Sequence, residues 1–225
     1  MSIEENIRRV KADIADACTR CGRDPAEVML LAVTKNHTAD EINRVVEAGI
    51  TTLAENRVQE LMSKYDLVQG DVSWHLIGHL QRNKVKYIAD KVDMIHSVES
   101  QSLVEEINKQ CGKIGKVMDI LAEINISGEE SKHGIPADEA EDFVKMAAQY
   151  PYVRVRGLMT MAPKFSRTDE IHDIFAQLNK IGVDIRAKKY DNISIDYLSM
   201  GMSNDYIIAV EEGSNIVRIG SALFR

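Results

Sequence analysis

Apolar positions follow two alternating rhythms. Ile3, Ile7, Val10, Ile14 and Ala17 recur three and four apart, which predicts an amphipathic helix over residues 3–21, ended by Gly22 and Pro25. Residues 28–33 then form an unbroken apolar run, the pattern of a strand covered on both faces in a parallel sheet. The alternation repeats to the end of the chain. Helices are predicted over 39–48 (Thr38 as N-cap), 58–65, 85–89, 103–110, 136–148, 170–181 and 206–209. Strands are predicted over 51–53, 74–77, 94–95, 117–126, 153–158, 195–198 and Ile216–Ile219.

Eight strand candidates, each but the last followed by a helix, require parallel strands joined by helical crossovers. Eight such units in about 200 residues point to the α/β class and a closed (β/α)8 TIM-type barrel with an extra N-terminal helix. An open doubly wound sheet is the alternative. With no linker, low-complexity segment or fixed-period repeat, residues 1–225 are expected to form a single domain.

Hydrophobic residues make up 44 % of the chain and aromatics 5 %, so a sizeable core of Val, Ile, Leu, Met and Ala is expected and a disordered chain is excluded. The net charge of −7 disfavours nucleic acid. The one basic cluster, Arg186, Lys188 and Lys189, lacks interleaved aromatics and reads as a solvated helix end. No signal peptide or membrane-length apolar run is present, so a cytoplasmic protein is expected. Three cysteines make no disulfide framework. Cys18 and Cys21 close a helical pattern, and no second Cys/His pair completes a zinc set, so no metal site is expected.

In a barrel of this kind, function gathers at the C-terminal ends of the strands. There the sequence places Lys35, Glu55-Asn56-Arg57, Gly78-His79, His96-Ser97, Asn125, Thr160, Ser199 to Ser203, and Arg218 to Ser221. Lys35 follows an apolar strand, so its ammonium is expected in a partly desolvated pocket, as a nucleophile toward a carbonyl. A lysine merely snorkelling at a strand end is the alternative. Ser203 reads as the N-cap of the 206–209 helix, and Gly220-Ser221 follows the last strand. The loops after strands seven and eight are a common phosphate site in such barrels, although ordinary turn and cap residues read the same way. A lysine facing a phosphate cradle describes an aldehyde-plus-phosphate ligand such as pyridoxal 5′-phosphate (PLP). Arg218 would then meet the ring nitrogen and, being donor-only, keep it unprotonated.

The stretches Ala32-Val-Thr-Lys35, Glu55-Asn-Arg-Val-Gln59, Trp74-His-Leu-Ile-Gly-His-Leu-Gln81 with Asn83-Lys84, Asn125-Ile-Ser-Gly-Glu-Glu-Ser-Lys-His-Gly134, Gly157-Leu-Met-Thr-Met-Ala162, Leu198-Ser-Met-Gly-Met-Ser203 and Val217-Arg-Ile-Gly-Ser-Ala-Leu-Phe224 together resemble the pyridoxal phosphate homeostasis protein family over essentially the whole chain. The resemblance implies the barrel of the alanine racemase N-terminal domain and a Schiff base lysine at Lys35. It further implies Asn56 near the ring, Arg218 at the ring nitrogen, and Ser203, Gly220 and Ser221 at the phosphate. Asn36-His37-Thr38 departs from the Thr-Lys-Pro-like continuation more common in the family, and the chain stops at Arg225, where relatives usually carry Gly and a short tail.

The expected function is PLP binding in vitamin B6 homeostasis, as a carrier or regulator without robust catalysis, with PLP-dependent apo-enzymes as partners and a monomeric state. The racemases that share this barrel take a second acid–base group, a tyrosine, from an added β-domain, which this sequence lacks after its eighth strand. The alternatives are a PLP-dependent racemase or lyase or a Schiff-base aldolase, with Tyr197, His75 or His79 as base, and an interaction protein with a vestigial site. Lys84 and Lys132, otherwise surface charges, are the lysines that would compete for an aldehyde.

Overall fold

The computed structural model describes residues 2–129, 133–163 and 166–225. Eight parallel strands form the barrel: β1 (Met29–Val33), β2 (Thr52–Glu55), β3 (Ser73–Leu76), β4 (Met94–Val98), β5 (Met118–Asn125), β6 (Val153–Met159), β7 (Ile193–Met202) and β8 (Ile216–Ile219). They are hydrogen-bonded in the order β4-β3-β2-β1-β8-β7-β6-β5, and β4 also pairs with β5, so the sheet closes. Closure removes the unpaired edges of an open sheet and excludes the doubly wound alternative.

Helices α1 (Ile3–Cys21), α2 (Ala39–Glu47), α3 (Val58–Lys64), α4 (Val85–Ile88), α5 (Gln101–Lys113), α6 (Ala140–Ala147), α7 (Thr168–Ala187), α8 (Tyr206–Glu211) and α9 (Ser221–Phe224) surround the strands. Outward-facing strand residues such as Leu53, Trp74, Ile95, Leu158 and Val217 share one core with Ile42, Leu61, Ile107 and Phe175 from the helices. Alternate positions fill the interior. Leu31, Val33, Ala54 and Ile216 form one cluster and Met94, Leu121 and Met159 another, with Tyr197 packed against both. The core is aliphatic as composition predicts; Trp74 and Phe175 are the aromatics among its largest fully buried side chains.

Thr38 caps α2, accepting from the Glu41 N–H in a capping box, as predicted. Elsewhere the structure departs from the sequence pattern. Pro136 does not open a helix directly: Ile135–Pro136 pairs as a two-residue strand with the end of β5, and α6 starts only at Ala140 after a short 3-10 turn. At four residues, α9 is too short to show a period. Arg186 and Lys188 lie at the end of α7, where Arg186 donates to the Ile195 carbonyl and Lys188 pairs with Glu141, as a solvated helix end requires. Cys18 and Cys111 are buried, Cys21 is exposed and all are free. No helix among the described residues is long and apolar enough to cross a membrane.

Helix α1 packs on α2, α8 and α9. The Asn6 side-chain amide donates to the carbonyls of Leu223 (3.0 Å) and Arg225 (2.7 Å), and Tyr206 donates to Asp13 (2.6 Å). The extra helix thus fastens the first and last units together.

Strands β6 and β7 approach too closely for a side chain at Gly157, whose added Cβ would lie 1.9 Å from the Tyr197 carbonyl oxygen. Gly157→Ala should therefore destabilise the barrel by about 3 kcal/mol, at the upper end of overpacking effects, read as a lowered urea midpoint.

Candidate functional site

Strands β2, β1, β8 and β7 are successive neighbours, so their C-terminal ends bring Asn56, Lys35, Gly220-Ser221 and Ser203 onto one arc of the mouth. Val33 is paired with Ala54 and Ala32 with Ile219. Extending that register sets Lys35 level with Asn56, and Val33 level with Gly220. A Cβ at Gly220 would meet the Val33 carbonyl oxygen at 3.3 Å and its Cβ at 3.4 Å, so the glycine lets the two backbones close together. Asn56, Ser203 and Gly220 are half-buried, and Ser221 is exposed.

Lys35 is exposed, which corrects the expectation of a partly desolvated pocket. It lies in a turn closed by the His37 N–H donating to the Thr34 carbonyl (3.1 Å), with Asn36 at φ +63°, a conformation asparagine tolerates better than most residues. The turn carries Lys35 clear of the strand. His37 stacks on Phe224 at 3.8 Å, so the Asn36-His37-Thr38 departure builds a defined loop.

The desolvated lysine is Lys64. Its ammonium donates to the Thr34 carbonyl (2.8 Å) and to Glu55 Oε1 (2.7 Å), and the Thr34 hydroxyl donates to the same Glu55 oxygen (2.6 Å). Glu60 completes the ring, 3.4 Å from Lys64 and accepting from the Asn36 N–H at 2.9 Å. The backbone contact at Asn36 and the Lys64 charge hold the Glu60 carboxyl below its usual range. Glu55 is fully buried, and its Oε2 has no hydrogen-bond partner among the described residues. This cluster fixes the turn beneath Lys35 from below.

Ser203 does not cap α8, another correction. The N-cap is Asp205, and the Ser203 hydroxyl instead accepts from the Ala222 N–H (3.2 Å), tying the loop after β7 to α9. The cap is displaced because the β7 loop turns early: the Met202 N–H donates to Asp205 Oδ1 (2.5 Å), and Gly201 at φ +92° leaves no room for a side chain against Ala209.

Below the mouth, Arg218 is 3 % exposed. Its guanidinium donates to the Ser199 carbonyl (2.6 Å), the Ser199 hydroxyl (2.7 Å) and the Thr160 carbonyl (2.9 Å). A guanidinium only donates, so the Ser199 hydroxyl is free to donate onward to His96 Nδ1 (3.0 Å). That leaves the His96 proton on Nε2, which donates to His75 Nδ1 (2.9 Å). Burial pushes His75 down to about 4, and burial with the nearby Arg218 charge pushes His96 well below the usual range, so both rings are neutral at pH 7. Burial also lowers Arg218 to about 10, against the opposing attraction of Asp205 and Glu123, and it stays a cation.

The pattern of the alanine racemase N-terminal domain family matches residues 2–225. A pyridoxal phosphate homeostasis protein of Aquifex aeolicus is 38 % identical over 225 residues, spanning 100 % of this chain and 98 % of that protein. The chain belongs to the pyridoxal phosphate homeostasis protein family. The Escherichia coli K12 member is 36 % identical over 227 residues, or 99 % of this chain and 95 % of that one. Among solved structures, PipY of Synechococcus elongatus with PLP bound shares 32 % identity at a TM-score of 0.83, covering 94 % of this chain and 100 % of that chain. A Clostridium difficile alanine racemase, at 14 % identity and a TM-score of 0.76, shares the fold over 97 % of this chain and 56 % of its own.

Within this family barrel, the remaining sequence candidates scatter. Tyr197 is half-buried between the interior clusters, with the Arg156 guanidinium 5.2 Å from its ring. Lys84 lies against Gln59 in a groove of about 720 Å³ between α3 and α4, outside the barrel. Lys132 lies outside the described residues. His79 meets Glu99 and His133 at the rim, a convergence that sequence reading missed.

Two measurements probe this site. Removing the cation beside fully buried Glu55 leaves an uncompensated charge, so Lys64→Met should cost about 3–5 kcal/mol, while Glu55→Gln/Lys64→Met recovers most of that in urea unfolding. Burial, with repulsion from Glu99 and against the attraction of Arg218, pushes Glu123 up to about 7 from about 4.5. Between those values the folded chain keeps a proton that the unfolded chain has lost, so stability falls as pH rises through the window. Relative to wild type, Glu123→Gln should gain up to about 3 kcal/mol between pH 5 and pH 8.

Proposed function

We propose that residues 1–225 form one domain that binds PLP at the barrel mouth and acts in PLP homeostasis as a carrier or regulator rather than as an enzyme. One observation carries this reading. An exposed lysine, the close glycine approach at Gly220 and the Ser203–Ala222 contact sit on neighbouring strands above a buried, cationic Arg218. The relatives' names and the PLP-bound PipY support the choice of ligand.

When bound, PLP supplies an aldehyde that condenses reversibly with a primary amine and releases water. Lys35 offers that amine and makes no hydrogen bond or ion pair among the described residues. Ser203, Gly220 and Ser221 would offer hydroxyl and backbone donors to its phosphate, and Asn56 would border its ring. Arg218 can only donate, so a ring nitrogen facing it stays an acceptor. An unprotonated ring is a weak electron sink, which suits holding the cofactor better than amino-acid chemistry.

The candidate bases support the same preference. His75 is neutral and engaged with His96, His79 lies against Glu99, and Tyr197 packs against the interior clusters. We place the protein in the cytoplasm, as a monomer that passes PLP to apo-enzymes; three free cysteines fit a reducing compartment.

Borohydride reduction of PLP-loaded protein should fix the cofactor on Lys35, and Lys35→Ala should lose the adduct while keeping its far-ultraviolet circular dichroism. An adduct that persists in Lys35→Ala overturns the assignment. Amino-acid racemisation above roughly one turnover per second would overturn the non-catalytic reading.

A further inference from the structure

Three side chains that the PLP reading leaves unused converge at the opposite side of the mouth. His79 follows β3, Glu99 follows β4, and His133 belongs to the segment that returns to β5. Glu99 Oε1 lies 3.0 Å from His79 Nδ1 and 3.2 Å from His133 Nδ1, and the two imidazoles stack at 4.3 Å. We propose that His79, Glu99 and His133 form a binding site for a divalent transition ion of the zinc class.

Several features show that each residue is held in place. Gly78 sets His79: its Cβ would lie 2.3 Å from the Asn56 carbonyl oxygen, and its own carbonyl accepts from the Ser97 hydroxyl at 2.7 Å. Gly134 sets His133. At φ +114° it passes so close to β5 that a Cβ would meet the Asn125 nitrogen at 2.8 Å, and Ile135 then pairs beside Ile124. The Gly134 N–H donates to Glu99 Oε2 at 2.7 Å, which leaves Oε1 turned toward both histidines. The carboxylate is thus oriented by a partner outside the ligand set, the arrangement that metal sites use to fix their ligands.

The ligand chemistry selects the ion. Two imidazoles and one carboxylate suit zinc and its neighbours, whereas calcium and magnesium take oxygen ligands. Bonds of about 2.0–2.1 Å in a tetrahedron separate ligand atoms by about 3.3 Å, close to the two separations found here. Binding takes the tautomer of each ring with its proton on Nε2, so that both Nδ1 lone pairs, with Oε1, face the ion. The side chains of His79 and His133 are 48 % and 58 % exposed, so both rings can turn to meet it, and a fourth position stays open to water. Among the described residues this is the one group of three such side chains close enough to share an ion.

The site stands independently of PLP binding, and zinc chloride tests it on the full chain. Metal-stripped protein carrying Cys21→Ser should bind one zinc per chain in equilibrium dialysis, with a raised Tm. His79→Ala, His133→Ala and Glu99→Gln should each weaken binding by at least the roughly 10- to 100-fold that loss of a supporting partner costs elsewhere. Glu99→Gln is isosteric and keeps the acceptor for Gly134, so it reports on the ligand even where a histidine variant misfolds. His172→Ala, which removes a separate histidine–glutamate pair, should bind zinc like wild type. No stoichiometric binding by folded protein, equal binding by Glu99→Gln, or a thiolate-to-metal band with cobalt(II) would each overturn the site.

Discussion

A guanidinium that keeps its charge at neutral pH sits inside a closed barrel, and the interior is arranged around it. Arg218 on β8 is buried, and a buried charge without partners would cost several kcal/mol. Its partners come from the next two strands along the sheet: the Ser199 carbonyl and hydroxyl on β7 and the Thr160 carbonyl just beyond β6. Glu123 and Asp205 oppose its charge from β5 and from the loop after β7. Because Arg218 only donates, the hydrogen bonds run in one direction, through Ser199 and His96 to His75 on β3.

A second buried charge organises the first βα turn. Lys64 reaches from α3 to Glu55 at the end of β2 and to the Thr34 carbonyl, while Glu60 holds the Asn36 N–H. The lysine that is buried is thus structural, and the lysine presented to solvent is Lys35. Rigid support beneath an exposed amine leaves it accessible without leaving its backbone loose.

Much of this was legible in the sequence. Unbroken apolar runs marked the strands because a parallel sheet is covered on both faces, and the βα alternation fixed the barrel. Lys35, Asn56, Ser203 and Gly220 could be assigned to one mouth because each directly follows a strand. What escaped depended on contacts between distant residues. The burial of Lys64 requires Glu55 and Thr34 to meet it across two units, and nothing in the charged pattern of α3 signals that. The role of Ser203 was misread because its partner, Ala222, lies 19 residues away, in a helix too short to show a period. His79, Glu99 and His133 become neighbours only when β3, β4 and β5 lie side by side.

The Asn6 contact bears on how the chain folds. It joins residues 217 positions apart, beside a pairing of β1 with β8 that also spans most of the molecule. Contacts of such long range carry the largest loop-closure entropy and reward the chain only after intervening units have formed. The clasp of α1 on α9 adds its hydrogen bonds at that last junction. It works as a latch, holding shut a ring whose final joint is the slowest to make.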